Sequence, residues 1–523
     1  MDSLAFQPLS PVSFLERSAL VYADRPAIVS EDRTFTYAEH WLRVRQLAGM
    51  LQGLGVGAGE RVAVLAPNTH MQLESSTGVS AGRGVLVALN VRLQAGEIAT
   101  ILDHAGVSVL LVDSALEDVG RKAVDQAQVD PRVVVAGGDG RDEYEDMLAA
   151  ADPVYVRVED ERSLLSLNYT SGTTGVPKGV MYHHRGAYLQ ALAMAYHAKL
   201  DLQTRYLWTL PAFHTNGWCF PWAVTAAGGV HVCLRAVVPK EVWHKLESES
   251  ITHFCAAPTV LTSLAAAEEA RPLEREVHAL TGGAPPSPSL LRRMDELNIR
   301  VSHLYGLTET FGPAALCDWR PEWDQGTPDE RAERLSRQGV GNVIAERVRV
   351  VDDNGDDVPA DGGTLGQVAV RGNNVMLGYY REEEATRAAA PDGWFRTGDL
   401  GVMHPDGYVE LRDRLKDIII SGGENISSIE VENVLTQHPA VQEAAVVGVP
   451  HDHWGEVPVA FVTTGGSESV SGDELIAFVR ERLAHFKAPK SVVVGDLPKT
   501  STGKIQKNVL RETARSASGG DSG

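Results

Sequence analysis

The chain has 523 residues, 43% of them hydrophobic and 22% charged, and carries a formal net charge of −21. That length exceeds what one hydrophobic core organises, so two or more domains are expected. The acidic balance excludes nucleic acid or an anionic membrane as a bulk partner, although a local pocket can oppose the global sign.

Four cysteines, Cys219, Cys233, Cys255 and Cys317, make no C-x-x-C pair. Neither a zinc site nor a disulfide framework is expected, and free buried thiols in a reducing, cytoplasmic setting are. The start Met-Asp-Ser has no basic region and no apolar h-region, so no signal peptide is expected. No apolar run approaches the roughly 18 residues of a membrane span.

In chain order, a helix is predicted over 38–54, with Trp41, Val44, Leu47, Ala48 and Leu51 on one face. The glycines of 53–59 imitate a dinucleotide loop. The G-x-G-x-x-G spacing fails at Ala58 and Glu60, and the run precedes a strand instead of following one. Strands are predicted at 61–66, 84–89, 108–112, 132–135, 164–167, 205–210, 230–234 and 299–304. Helical patterns lie between several of them, which predicts parallel sheets covered on both faces. Arg83, in Ser80-Ala81-Gly82-Arg83-Gly84, is out of character before its strand.

Near residue 350 the pattern changes to short strands at 348–351, 367–371 and 407–411. Turns such as Asp353-Asn354-Gly355 and Pro405-Asp406-Gly407 separate them. The charged run Arg412-Asp413-Arg414-Leu415-Lys416-Asp417 reads as a linker. Ser427-Ser428-Ile429-Glu430 reads as a capping box, and strands at 444–449 and 491–494 complete an α+β unit. The expected fold is α/β. Residues 1–411 form a large domain with two parallel α/β sheets and a small barrel-like β subdomain, 412–416 form a hinge, and 417–523 form a small mobile domain.

The densest chemical signal is Tyr169-Thr170-Ser171-Gly172-Thr173-Thr174-Gly175-Val176-Pro177-Lys178-Gly179, which follows the strand at 164–167. Glycines let backbone N–H groups approach an anion, hydroxyls add donors and Lys178 adds a positive charge, so the string suits a polyphosphate. It is not a Walker A loop, because Lys178 follows Pro177 and precedes Gly179.

This string resembles the phosphate loop of the adenylate-forming superfamily: acyl-CoA synthetases, adenylation domains of peptide synthetases and beetle luciferases. The resemblance runs from about Phe35 to Arg511. At 213–220, 281–286, Arg337-Gln338-Gly339 and 421–427 it is closest to short- and medium-chain acyl-activating enzymes. It implies that ATP, Mg²⁺ and coenzyme A are used. Thr170, Ser171, Gly172, Thr173, Thr174, Gly175 and Lys178 would hold the nucleotide.

The chemistry sets its own demands on the remaining residues. A carboxylate and an α-phosphate about 4 Å apart repel by roughly 4 kcal/mol at an effective dielectric near 20, or on the order of three decades in rate. A cation at the reacting centre is therefore needed, and a closed pocket with it. By resemblance the cation is Lys504, in Pro498-Lys499-Thr500-Ser501-Thr502-Gly503-Lys504-Ile505. The metal ligands are Glu309, in Tyr305-Gly306-Leu307-Thr308-Glu309-Thr310, and Thr170. A strand's C-terminal end and a hard oxygen donor suit the Glu309 role.

The same resemblance puts Tyr305, Gly306, Thr308, Gly282, Gly283 and Ala284 around the nucleotide, and Asp399 with Arg414 on the ribose. It reads His214, in Pro211-Ala212-Phe213-His214-Thr215-Asn216-Gly217-Trp218, as an aromatic gate to the acid. Trp218 limits pocket depth, and Gly283 and Gly306 line the acyl side. Lys416 is the hinge, and Gly422 and Gly423 help form the pantetheine channel. Acyl-adenylate must be sealed from water and then exposed to a thiol, so one arrangement cannot serve both steps.

The partners implied are a small carboxylic acid, ATP and CoA. Two alternatives stay open: transfer to a carrier protein or an amine in place of CoA, and a non-catalytic nucleotide sensor. A homodimer is admitted.

Overall fold

A computed structural model describes residues 6–138, 142–170, 177–422, 424–451, 453–464, 470–500 and 504–518. The fold is α/β with a smaller C-terminal unit. No helix among these residues is long and apolar enough to cross a membrane.

Two large sheets dominate. In the six-stranded sheet, Arg132–Ala136, Val107–Asp113, Arg61–Leu65, Val85–Ala88 and Leu164–Thr170 run parallel, and Lys178–His183 closes one edge antiparallel. The nine-stranded sheet has a parallel centre that includes Arg205–Leu207, His253–Ala256, Val277–Thr281 and Ile299–Leu307. Antiparallel strands cap both of its ends. The sequence dictates this burial: Val107–Asp113 reads VSVLLVD and is buried along almost its whole length, as a strand covered on both faces must be.

Predicted elements shifted where local chemistry set the ends. The first long helix runs Tyr37–Gly53, because Thr36 forms a complete capping box with Glu39. Arg205–Leu207 is shorter than the expected 205–210, because the Asn68 side chain takes the Trp208 and Leu210 carbonyls at 2.8 and 3.0 Å. Arg83 takes a positive φ of 68° after the helix His70–Ala81 and pairs with exposed Glu159 at 3.2 Å. Its side chain is half-exposed.

A four-stranded antiparallel sheet follows, in the order Arg349–Val351, Gly366–Val370, Phe395–Met403, Val409–Arg414. Its last strand continues through half of the charged run, because Arg414 is the register partner of Asp399. The chain leaves this sheet at Leu415-Lys416-Asp417, and a new one starts at Ile419–Ser421.

That last sheet also holds Glu424–Ile426, Gly455–Thr464 and Val441–His451, with Ser491–Val494 added parallel. Helices Ser428–Leu435 and Gly472–Arg480 close one core around Val431, Val446, Ala460 and Leu475. Lys507–Ser518 covers the other face through Leu510 and Ala514. Only half of the predicted capping box forms. Ser427 Oγ accepts from Glu430 N at 3.2 Å, but the Glu430 carboxylate is taken by Lys487 at 2.7 Å.

Candidate active site

The glycine–threonine loop grows from a hairpin. Leu164–Thr170 and Lys178–His183 pair antiparallel, and the last register pair is Thr170 with Lys178. Ser171, Gly172, Thr173, Thr174 and Gly175 lie outside the described residues, as does Gly423.

The hairpin stem meets Glu309 through an aromatic ring. Lys178 Nζ stands 4.7 Å from the centre of the Tyr379 ring and 4.0 Å from the Glu382 carboxylate. The Tyr379 hydroxyl donates to Glu309 Oε1 at 2.8 Å. Loop stem and Glu309 therefore face one space. Tyr379 carries no spacing signal in the sequence, and only the fold brings it here.

Strand Ile299–Leu307 ends in a tight turn, Thr308–Thr310, and returns as Gly312–Leu316. A Cβ on Gly306 would lie 1.9 Å from the Gly312 carbonyl oxygen, so the return strand demands glycine at 306. Tyr182 donates to the Thr308 carbonyl at 2.6 Å and fixes that turn. Three residues before the turn's start, the Tyr305 hydroxyl donates to Asp399 Oδ2 at 2.7 Å. Arg414 Nε lies 3.4 Å from Oδ1 of the same carboxylate. Tyr305 shares a buried cluster with Ala314 of the return strand and with Val350 and Val368 of the small sheet. Burial raises the Asp399 pKa, and Arg414 and Tyr305 oppose the rise.

Lys504 reaches this pocket from the C-terminal unit. Its backbone closes a loop in which Thr500 N donates to Lys504 O at 2.7 Å and Lys504 N donates to Thr500 Oγ1 at 3.1 Å. Its Cε lies 3.1 Å from where a Cβ on Gly283 would stand, and Gly283 has φ +92°. Burial, and then the Arg414 charge, push its pKa down to about 8, while Asp399 and Glu309 pull the other way. Lys504, Asp399, Arg414 and Glu309 thus share one electrostatic environment.

Residues 213–220, expected from the sequence to face the acid, lie beside these groups. His214 is half-buried, and burial followed by the Lys504 charge pushes its pKa down to about 4. It is a neutral ring at physiological pH. The Trp218 ring occupies a slot that glycine makes: a Cβ on Gly282 would come within 3.1 Å of it, and one on Gly312 within 3.2 Å. Gly282 and Ala284 follow strand Val277–Thr281, with Gly282 also facing the Leu304 carbonyl.

Two predicted residues lie elsewhere. Lys416 is exposed at the crossing between the sheets. Gly422, with φ +61°, donates its N–H to the Trp454 carbonyl at 2.8 Å, and a Cβ there would come within 2.8 Å of the Trp454 ring.

No group of three or more His, Cys, Asp or Glu side chains suited to a metal occurs among the described residues. A Mg²⁺ ion suits such a place nonetheless, because it is commonly held by one carboxylate together with substrate phosphates. Glu309, oriented by Tyr379, offers that carboxylate beside the stem of an anion loop.

The AMP-binding enzyme family matches residues 15–380, and the AMP-binding enzyme C-terminal domain matches 430–504. The chain belongs to the AMP-binding enzyme family. Among its relatives, a peroxisomal acetate/butyrate–CoA ligase of Arabidopsis thaliana is 43% identical over 541 residues, spanning 98% of this chain and 95% of the relative. A 4-hydroxybutyrate–CoA ligase of Metallosphaera sedula is 41% identical, over 98% of this chain and 95% of its own. The structure of an anthranilate CoA ligase in complex with anthranoyl-AMP superposes with a TM-score of 0.87 at 27% identity, covering 99% of this chain and 100% of that one.

Proposed function

We propose that this enzyme activates a short aliphatic carboxylic acid, with medium-chain and aryl-alkyl acids as weaker substrates, at the pocket between Gly283, Trp218 and Lys504. The chain is an AMP-forming acid–thiol ligase. The acid's carboxylate oxygen attacks the α-phosphorus of ATP, the bond to the β-phosphate breaks, and pyrophosphate leaves. The CoA sulfur then attacks the carbonyl carbon of the acyl-adenylate, AMP leaves, and the thiol proton passes to solvent. The short-acid preference follows the names of its relatives, acetate/butyrate– and 4-hydroxybutyrate–CoA ligases.

The observation that carries the reading is the docked Lys504. Its charge, set among Asp399, Arg414 and Glu309, offsets the repulsion between two anionic reactants. Lys178 and residues 170–175 bind the polyphosphate. Asp399 accepts from the ribose hydroxyls, and Tyr305 and Arg414 orient it. Glu309 and Thr170 would hold Mg²⁺, which supplies charge neutralisation on the phosphates. His214 is a neutral wall that shields the adenylate from water.

Thioester formation needs a different arrangement. The unit from 417 onward rotates about Lys416, which withdraws Lys504 and carries Gly422 toward the acyl carbon. The four cysteines are unpaired and buried, which suits a reducing, cytoplasmic setting. The test is pyrophosphate and AMP release from purified protein with ATP, CoA and acids from acetate to hexanoate, plus cinnamate. Release with short acids supports the proposal, and silence on every acid from folded protein overturns it. AMP formation indifferent to CoA would move the acceptor to a carrier-protein thiol or an amine.

A further inference from the structure

Residues 215–219 are five in a row with positive φ: Thr215 49°, Asn216 39°, Gly217 54°, Trp218 54° and Cys219 65°. L-residues visit this region singly, because Cβ crowds the following carbonyl oxygen, and a run of them persists only where surrounding contacts impose it. Glycine relieves the crowding at one position only. Of the others, the polar anchor is Asn216.

Asn216 is fully buried; its carbonyl accepts from Cys219 N at 3.1 Å within the turn, and both of its donated hydrogen bonds run to one strand. Its N–H donates to Asn168 Oδ1 at 3.1 Å, and its Nδ2 donates to Ser166 Oγ at 2.6 Å. Ser166 and Asn168 are themselves linked, Asn168 Nδ2 to Ser166 Oγ at 3.4 Å. Both are buried. In a strand, alternate residues share a face, so Ser166, Asn168 and Thr170 line the same side of Leu164–Thr170. The first two grip the left-handed turn and the third is the last described residue before the phosphate loop. On the turn's other side, Thr215 Oγ1 lies 3.5 Å from Thr308 Oγ1, next to Glu309.

We propose that Asn216 is a positioning residue for acid selection. It clamps the left-handed turn onto the strand that feeds the phosphate loop, and so sets where His214 and Trp218 stand relative to the α-phosphate. It touches no substrate. Freed from the clamp, the turn relaxes, the Trp218 ring leaves the slot between Gly282 and Gly312, and discrimination by chain length fails. The inference rests on the acid-activating reading of this site.

The test compares wild type with Asn216→Gly, which keeps the backbone freedom and removes the anchor, and Ser166→Ala, which removes the acceptor and leaves Asn216 in place. Three quantities are measured: kcat and KM for acetate, butyrate and hexanoate by pyrophosphate release, ATP affinity without acid, and the melting temperature. The expected result is a rise in acid KM of about tenfold, an acetate-to-hexanoate ratio of kcat/KM changed by about fivefold or more, and ATP affinity within about twofold of wild type. A purely structural role would lower all three acids by one factor. An unchanged ratio in Asn216→Gly, whatever the overall activity, overturns the inference. If that variant does not fold, the ratio in Ser166→Ala decides alone, a shift supporting and constancy overturning. Wild type silent on every acid defeats the functional reading instead, so the two failures are distinguishable.

Discussion

Lys504 Cε and Gly283 are packed so closely that a Cβ on the glycine would stand 3.1 Å from the lysine carbon, and Gly283 holds φ +92° besides. The lysine proposed as the catalytic cation lies directly on a bare backbone surface at Gly283. Gly283→Ala should therefore disturb both the turn and the docked lysine. We expect acyl-adenylate formation to fall by about 10- to 100-fold, since a strained backbone and a misplaced charge cost on the order of 1–3 kcal/mol. Conversion of supplied acyl-AMP to acyl-CoA should fall much less. Equal loss in both half-reactions, measured separately, would contradict the lysine's role in the first.

Lys504→Ala removes the cation altogether. Pyrophosphate exchange should drop by roughly three decades, the equivalent of about 4 kcal/mol of uncompensated repulsion. Thioester formation from acyl-AMP should persist. Exchange within a few-fold of wild type would remove Lys504 from the adenylation step.

The same lysine sets the pH dependence. Its pKa is lowered to about 8, so kcat/KM for adenylation should decline as pH rises through about 8 and the charge is lost. Undocking cannot explain such a decline. The docked lysine has the lower pKa, so raising the pH above about 8 favours the docked state over the free one. Bound polyphosphate raises the lysine's pKa, so kcat should hold to higher pH than kcat/KM. His214, with its pKa near 4, should contribute no ionisation between about pH 5 and 8.

Tyr379→Phe deletes the donor to Glu309 Oε1 and keeps the ring under Lys178. A hydrogen bond to a charged group contributes about 1.5–3 kcal/mol, so kcat/KM should fall by about 10- to 100-fold. Magnesium titration of pyrophosphate exchange should show a raised metal requirement. An unchanged titration curve would separate Tyr379 from Glu309.

Gly422→Ala puts a Cβ at φ +61° and 2.8 Å from the Trp454 ring. The CoA step should slow by about tenfold or more, on the order of the strain a non-glycine residue incurs there, with pyrophosphate exchange near wild type. Stopped-time assays of the two half-reactions check it. Slowed exchange with normal CoA transfer would reverse the assignment.

Much of this was legible beforehand. Strand positions followed from apolar runs such as Val107–Asp113, because burial on both faces leaves a continuous signal. Glu309, Asp399, Arg414 and Lys504 were proposed from recognisable strings, and the fold places their charges within reach of one another. Element ends were harder. Val409–Arg414 ran into the charged segment because Arg414 answers Asp399 across the sheet, and no local pattern reveals a cross-strand partner.

The sequence alone therefore determined the class of fold and the need for a cation, and it proposed which side chains meet a nucleotide. Tertiary structure decided who stands beside whom: Tyr379 between Lys178 and Glu309, Tyr305 on Asp399, and Asn216 gripping Ser166. These contacts join residues separated by tens of positions or more. Their formation depends on how sheets stack and turn, whereas periodicity and motif report only on neighbours along the chain.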